Sequence, residues 1–331
     1  MILCSINILL KDKFMMRLKT QILFLFIFCI AAPDLSAAET TPYHFLRFNS
    51  SARAAGLGGS FEAMSNDPTA VSFNPATIYT VEDQRFSTTF LKHVLDINSG
   101  VVTWVKPEFL DGTVAASVAY TNYGSFEYAD KYGVQNGESF SANDLAMAVT
   151  YSNELDTNLF YGVTAKFIYV NIEEQSAVAA AVDVGLYYTI PDKRTNIGFS
   201  ILNVGTELSS INGVSESLPL DIRFGLNHRL RGLPLLINVS LHHLADETDS
   251  FTDKLTSFSI GGEFYFGKYI RARAGFDNQT RRQTSPDTEK GLSGITAGFG
   301  IDTDMLQFDY GFSQVGTSAA LHRFSIRFDI D

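Results

Sequence analysis

The chain has 331 residues, of which 45% are hydrophobic, 13% aromatic and 18% charged, and its formal net charge is −11. Soluble domains carry roughly 25% charged residues and disordered chains carry few aromatics, so this composition is unusual for the first class and excludes the second. The chain's 36 acidic residues outnumber its 25 basic ones. Because affinity for nucleic acid comes mainly from neutralising phosphates, we expect no nucleic-acid partner.

Residues 1–38 have the organisation of a secretory signal peptide. Arg17 and Lys19 supply the positive charge, residues 22–32 form an apolar run, and residues 36–38 are the small residues that precede a cleavage site. The apolar run is too short for a transmembrane helix, which needs about 20 residues. We therefore predict an exported protein that begins after residue 38.

Two further features of this leader bear on the mature chain. The residues before Met15 and Met16 only dilute the positive region, so either methionine is a more natural start than the first residue. Both cysteines, Cys4 and Cys29, lie within the leader. Their position excludes disulfides, thiolate metal sites and cysteine nucleophiles from the mature protein.

Residues 39–80 show no strand alternation and are predicted to form a plug, or hatch, inside a barrel. Two turn signals follow one another, Asn66-Asp67-Pro68 and Asn74-Pro75-Ala76. Small residues permit the backbone of such a segment to pack closely against a wall. Those preceding the turns are Ala52, Ala54, Ala55, Gly56, Gly58, Gly59 and Ser60.

From about residue 85 to the end, apolar and polar residues alternate with a period of two, which indicates β-strands. The apolar faces carry no charge over about the nine to eleven residues with which a tilted strand crosses a membrane. Residues 81–331 are therefore predicted to form an all-β, outer-membrane barrel of about 14 antiparallel strands in a Gram-negative bacterium. A large soluble β protein is the alternative. The predicted strands are 85–95, 97–107, 111–122, 140–153, 157–171, 176–190, 193–204, 219–230, 233–244, 254–267, 269–279, 290–302, 304–314 and 319–330.

The opposite strand faces mix Gly, Ser and Thr with isolated charges, which is typical of a barrel lumen. Because buried unpaired charge is costly, we expect these charges to pair with one another, with water, or with plug residues such as Glu62 and Asp67. Either they seat the plug or they line a polar conduit. The lumenal charges are Asp221, Arg223, Glu263, Arg271, Arg273, Asp309, Arg323 and Arg327.

The connections between strands differ in length at the two ends of the predicted barrel. Short turns are expected at residues 191–194, 231–232 and 302–304, and longer polar loops at 203–217, 245–253 and 278–289. Outer-membrane barrels have short periplasmic turns and longer extracellular loops, so the longer set is predicted to face outward.

The sequence contains no metalloprotease His-Glu pattern, no Walker loop and no nucleophile elbow. We therefore expect no enzymatic activity, no cofactor and no metal site. His242 and His243 are adjacent, and on a strand adjacent side chains point to opposite faces, so they are not expected to share a metal.

The plug segment resembles a known family. The run Ser-Ala-Arg-Ala-Ala-Gly-Leu-Gly-Gly at residues 51–59, with the two Asn/Asp-Pro motifs, is similar to the N-terminal signature of the PorV/PorQ proteins, which in turn resemble the FadL long-chain fatty-acid transporters. This resemblance implies a fourteen-stranded barrel with a plug and a role in type IX protein secretion. One departure is the C-terminus, Phe328-Asp-Ile-Asp, where such barrels often end on an aromatic residue. The residues that carry the resemblance are Arg53, Gly56, Gly58, Gly59, Asp67, Pro68, Asn74 and Pro75.

Two functions follow as hypotheses. The first is a non-enzymatic outer-membrane barrel of the type IX secretion system, surrounded by membrane lipids, that binds secreted cargo or anchors a surface protein through its extracellular loops. The alternative is a FadL-like transporter of hydrophobic small molecules. The transporter predicts an apolar pocket between plug and wall and a lateral opening where a strand is kinked, whereas a packed lumen favours the scaffold.

Overall fold

The alternating strands form a closed barrel. A computed structural model describes residues 41–330 except 49, 94–95, 131, 193, 214, 249, 285–290, 304 and 317–318. The predicted signal peptide, including both candidate start methionines, lies outside the described residues. Within the described part of the chain, none of the helices combines the length and the apolar character needed to cross a membrane.

Fourteen antiparallel strands are described, and each pairs with its neighbours in the sequence. The barrel closes where the last strand pairs with the first, with Phe90 opposite Phe324. The predicted fold class and strand number are confirmed. The strands are β1 (Arg85–Lys92), β2 (Asn98–Phe109), β3 (Gly112–Ala129), β4 (Gln135–Asp156), β5 (Leu159–Ile172), β6 (Gln175–Thr189), β7 (Thr195–Ser209), β8 (Asp221–Arg229), β9 (Leu235–Leu241), β10 (Phe258–Phe266), β11 (Ile270–Asp277), β12 (Ile295–Asp302), β13 (Leu306–Val315) and β14 (Ala319–Asp329).

Three strands, β3, β4 and β7, extend at least five residues beyond a predicted end. β3 and β4 continue pairing as far as Ala129 and Gln135, across register shifts that begin between Asn122 and Ser125. β7 extends to Ser209, so the connection that was predicted to start at residue 203 starts later. These extensions lack the continuous apolar alternation of a lipid-facing segment. In β3 and β4 ring contacts support the pairing there, since Phe126 stacks on Phe140 with centroids 5.3 Å apart and Tyr128 contacts the same ring.

The connections between strands are short at one end of the barrel and long at the other. At one end β2 and β3 are joined by a tight turn in which Leu110 and Asp111 have φ angles of 51° and 65°. At the other end lie the long connections between β7 and β8, β9 and β10, and β11 and β12. Each contains a short helix, namely the 3₁₀ helix Ile211–Gly213, the helix Phe251–Lys254 and the helix Asn278–Thr284. Short turns face the periplasm in outer-membrane barrels, which orients the molecule.

The outward positions of the strands form an apolar surface. A large exposed apolar area on a closed barrel indicates contact with lipid rather than water. The outward side chains include Val102, Val118, Phe167, Phe224, Ile260, Phe299 and Phe324, all exposed.

The segment before β1 fills the lumen with short helices. The first is the 3₁₀ helix His44–Arg47, and the three that follow begin at polar caps. The helix Ala52–Gly56 is capped by Ser51, the 3₁₀ helix Pro68–Ser72 by Asp67, and the 3₁₀ helix Pro75–Thr80 by Asn74. In the last two, the side-chain oxygen accepts a backbone N–H and proline takes the first helical position, where its missing N–H costs nothing. The two motifs of the N-terminal signature are therefore helix starts.

Candidate functional site

Six alternating charges join the plug to four strands of the wall in a closed circuit, which we call the charge ring. The plug contributes Arg53 and Asp67, and the wall contributes the other four residues. The contacts are Arg53–Asp67 (3.0 Å), Asp67–Arg327 (2.7 Å), Arg327–Asp309 (3.7 Å), Asp309–Arg273 (2.7 Å), Arg273–Glu263 (2.7 Å) and Glu263–Arg53 (2.6 Å).

The charge ring is electrically balanced and buried. Three arginines face three carboxylates, and all six side chains are shielded from solvent. Burial opposes ionisation of Asp67, yet Arg327 and Arg53 hold the pKa of its carboxyl below the ordinary value. Removal of one partner from a buried pair costs about 3–5 kcal/mol, so the charge ring holds the plug in one position.

A second charged cluster holds the extracellular half of the plug. Arg223 on β8 contacts Asp221 at 2.7 Å and plug residue Glu62 at 3.7 Å. Nearer the mouth, Arg47 forms an ion pair with Asp246 at 2.6 Å. These contacts fix plug residues Glu62 and Arg47 against β8 and the connection between β9 and β10.

Asn74 joins the plug to the wall through neutral hydrogen bonds. Its side-chain oxygen accepts from the N–H of Ala76 at 3.1 Å, while its amide nitrogen donates to the carbonyls of Glu62 at 3.1 Å and Leu186 at 2.9 Å. The side chain is fully buried. One residue therefore caps a helix, closes a loop of the plug and contacts β6.

The wall meets the plug through a set of inward glycines, which we call the glycine belt. A Cβ added at Gly162 would lie 2.3 Å from the carbonyl carbon of Pro75, and one at Gly261 would lie 2.4 Å from the carbonyl oxygen of Leu57. A glycine within a strand often marks the close approach of another backbone. Sequence reasoning treated these residues only as part of the lumenal face. The belt comprises Gly162, Gly185, Gly198, Gly225, Gly261, Gly275, Gly298 and Gly311.

The remaining glycines of the signature lie at or just after the end of the helix Ala52–Gly56. Gly56 packs against Gly298, and a Cβ at Gly58 would meet the backbone of Phe276 at 2.8 Å. Gly58 and Gly59 have φ angles of 70° and 83°, which favour glycine.

The predicted lumenal charges separate into groups. Glu263, Arg273, Asp309 and Arg327 join the charge ring, and Asp221 with Arg223 forms the second cluster. Arg271 lies nearer the periplasmic end, where it contacts Asp302 at 2.5 Å. Arg323 donates to the hydroxyl of Ser313 at 3.1 Å, outside the charge ring.

An apolar cavity of about 80 Å³ lies between the first residues of the plug and strands β1 to β5. Lys166 is the charged side chain among its described lining residues, and its Nζ lies 2.7 Å from a carboxylate oxygen of Asp183. This cavity corresponds in position to the pocket that the transporter hypothesis predicts. Its apolar lining includes Phe45, Phe48, Leu91, Val101, Ala119 and Ala146.

A separate, polar cavity at the extracellular end contains His44, His242 and His243. The expectation that the adjacent histidines point to opposite faces is wrong, because β9 ends at Leu241 and His243 has a φ of 56°. Burial lowers the pKa of His243 well below its ordinary value, although Asp221 acts in the opposite direction. Among the described residues, no group of three or more metal-ligating side chains has the geometry of a metal site.

The comparisons with known proteins identify similar structures but no similar sequences. No protein-family model matches the chain. No curated protein matches it either. A TodX monoaromatic hydrocarbon channel carrying the deltaS2S3 deletion has a TM-score of 0.57 and 13% identity, covering 84% of this chain and 97% of that chain.

Two further solved structures have the same architecture. The Pseudomonas putida toluene transporter TodX has a TM-score of 0.52 and 12% identity, covering 83% of this chain and 95% of that chain. A Pseudomonas aeruginosa FadL homologue has a TM-score of 0.52 and 11% identity, covering 85% of this chain and 98% of that chain. Likeness at such identities establishes the fold and not the PorV/PorQ resemblance. The chain is thus an outer-membrane β-barrel with the FadL-like fold.

Proposed function

We propose that the protein is an outer-membrane channel for small, neutral, hydrophobic molecules. The observation that carries this proposal is the apolar cavity between the plug and β1 to β5, in a barrel whose fold is that of hydrocarbon channels. Ligand sites are typically concave and mostly apolar, with a few placed polar groups. The cavity satisfies this description at the extracellular half of the lumen, where a ligand from outside arrives first.

The charge state of the cavity favours a neutral ligand. The ammonium of Lys166 is held by Asp183 and also donates to the side-chain oxygen of Asn203 at 2.7 Å. A ligand carboxylate would have to displace a buried carboxylate from this cation, and an unpaired buried charge is costly. A hydrocarbon would leave the ion pair between Lys166 and Asp183 intact.

Entry and passage both require movement. The cavity of about 80 Å³ is smaller than the roughly 150 Å³ apolar cavity that accommodates benzene, so a ring must displace Phe45 or Phe48. Beside the cavity, β2 and β3 remain paired through Gly100 and Tyr120. The nearest irregularity is in β3, where pairing with β4 shifts between Asn122 and Ser125, and a lateral exit is expected there.

The test is toluene uptake by a host strain that lacks a channel of this kind. Ala119 faces the cavity, whereas Ala116 on the same strand is exposed on the outer face. Ala119→Trp should fill the cavity and reduce the uptake rate at least tenfold, and Ala116→Trp should leave it within about twofold of the wild type. Uptake by the wild type no faster than by the empty host, or equal uptake by both variants, contradicts the proposal.

The second candidate is the type IX secretion scaffold, whose partners would be secreted cargo or a surface protein of that system. The closed lumen favours it, because the charge ring and glycine belt leave the plug tightly seated. Its test is a pull-down of the tagged protein from native outer membranes. Recovery of secreted proteins that share a C-terminal sorting domain supports this candidate, whereas recovery of the barrel alone, together with measured toluene uptake, supports the channel.

A further inference from the structure

Arginine side chains surround a cavity of about 370 Å³ at the periplasmic mouth, beneath the plug. Only two carboxylates, those of Asp302 and Asp329, are among the described residues that line it. The arginines are Arg53, Arg85, Arg194, Arg229, Arg271 and Arg327.

Four of the six arginines have carboxylate partners. Arg53 and Arg327 belong to the charge ring, Arg85 contacts Asp329 at 2.6 Å and Arg271 contacts Asp302 at 2.5 Å. Arg194 and Arg229 differ, because no carboxylate among the described residues lies within ion-pair distance of either guanidinium group. The mouth therefore retains positive charge that the described part of the protein does not balance.

Arg194 and Arg229 are neighbours across the pair formed by β7 and β8. The backbone N–H of Arg229 donates to the carbonyl of Arg194 at 2.8 Å. Like charges placed opposite each other on paired strands repel. The guanidinium of Arg229 lies 4.6 Å from the ring of Tyr265, and that of Arg271 lies 4.6 Å from the same ring. Three cations thus converge on one side of the mouth.

We propose that the periplasmic mouth is a binding site for a small oxyanion, a ligand that carries carboxylate or phosphate groups, held by Arg194 and Arg229. Guanidinium groups bind such oxygens through two parallel hydrogen bonds. A cleft lined by one sign of charge also concentrates counter-ions. This site is separate from the apolar cavity, because the two cavities share no described lining residue.

The site is tested by titration calorimetry of the mature chain in detergent micelles, with inorganic pyrophosphate as one probe and glutarate as the other. The variant Arg194→Gln/Arg229→Gln removes both cations that lack a carboxylate partner among the described residues. The control Arg281→Gln/Arg282→Gln makes the same charge change on the helix Asn278–Thr284, at the extracellular end. We expect the mouth variant to bind at least tenfold more weakly and the control to remain within twofold of the wild type.

The two probes separate the chemical sources of the anion. Arginine-dependent binding of pyrophosphate alone identifies a phosphate ligand, and arginine-dependent binding of glutarate alone identifies a carboxylate ligand. Two results overturn the proposal: the wild type binds neither probe, or the mouth variant and the control bind with equal affinity. Because both substitutions are at exposed or half-exposed positions of the rim, far-ultraviolet circular dichroism should show both variants folded.

Discussion

At the scale of single residues, the distance between the wall and the plug determines which strand positions require glycine. A Cβ at Gly162 would lie within 2.5 Å of three backbone atoms of Pro75 and Ala76, whereas the nearest atom to a Cβ at Gly100 is 3.9 Å away. Both residues lie in strands of the same barrel, so they form a matched pair for substitution by alanine.

We expect Gly162→Ala to unseat the plug and Gly100→Ala to leave it in place. Overpacking of this kind costs about 1–3 kcal/mol, because the plug must shift away from β5. The measurement is ion conductance in planar bilayers, where a loosened plug should open the lumen more often. Equal conductance of the two variants would show that the plug is not held by close backbone packing.

His93 makes the docking of the plug sensitive to pH. Burial and the neighbouring Arg323 lower its pKa to about 4, whereas an imidazole in the unfolded chain titrates near 6.5. Its ring packs against Phe48 of the plug, with centroids 4.8 Å apart. The unfolded chain takes up a proton on this imidazole below about pH 6.5 and the folded chain only near pH 4, so the free energy of unfolding decreases as the pH falls through that window.

The prediction is a smaller loss of thermal stability in His93→Gln than in the wild type when the pH is lowered from 7.5 to 5. The uncharged side chain cannot take up the proton that opposes docking. Melting temperatures in detergent, measured by circular dichroism at both pH values, give the two differences. Identical differences would assign the acid sensitivity to other groups.

At the scale of elements, the plug depends on helices too short to be stable alone, since isolated helices of fewer than about 12 residues are marginal in water. Their caps therefore also act as contacts with the wall. Asn74 shows this combination, because one face of its side chain caps the helix Pro75–Thr80 and the other donates to Leu186.

We expect Asn74→Asp to destabilise the plug by about 2 kcal/mol or more. The carboxylate retains the capping oxygen but replaces a buried donor with an acceptor that faces two carbonyls, and each unsatisfied buried group costs about 1–3 kcal/mol. Asn98→Asp, at an exposed hydrogen bond to the carbonyl of Asp96, is the control. Free energies of unfolding from urea titrations compare them, and an equal change in both variants would contradict the capping argument.

At the scale of the whole molecule, the charge ring connects residues far apart in the sequence. Arg53 and Glu263 are separated by 210 positions, and the wall residues of the charge ring come from β10, β11, β13 and β14. The charge ring therefore forms only when the barrel is closed and the plug is inside it. Its contribution to stability thus depends on both events.

We predict that Glu263→Gln lowers the free energy of unfolding by about 3–5 kcal/mol, the cost of leaving a buried charge unpaired. Arg53 and Arg273 both lose their shared carboxylate. Glu82→Gln, at an exposed residue before β1, should change stability by less than about 0.5 kcal/mol. A similar small change in Glu263→Gln would mean that water or the remaining carboxylates satisfy the two arginines.

Periodicity in the sequence predicted the barrel, the number of strands and the inward charges, because in a strand each side chain's face depends only on its position along that strand. Periodicity did not predict the extensions of β3, β4 and β7, because these segments lack a continuous alternation of apolar and polar residues. Periodicity also failed to predict the orientation of His242 and His243, because β9 ends at Leu241 and both residues lie outside the strand.

The sequence by itself determined what faces lipid and what faces the lumen, and it marked the segment that occupies the lumen. Only the tertiary structure decided which lumenal residues meet: Glu263 with Arg53, Gly162 with Pro75, and Arg194 beside Arg229. The physical reason is that neighbouring strands of a closed barrel are offset from one another along their length. The height of each residue in a barrel depends on the register of every strand pair around it, and that register is a property of the closed sheet.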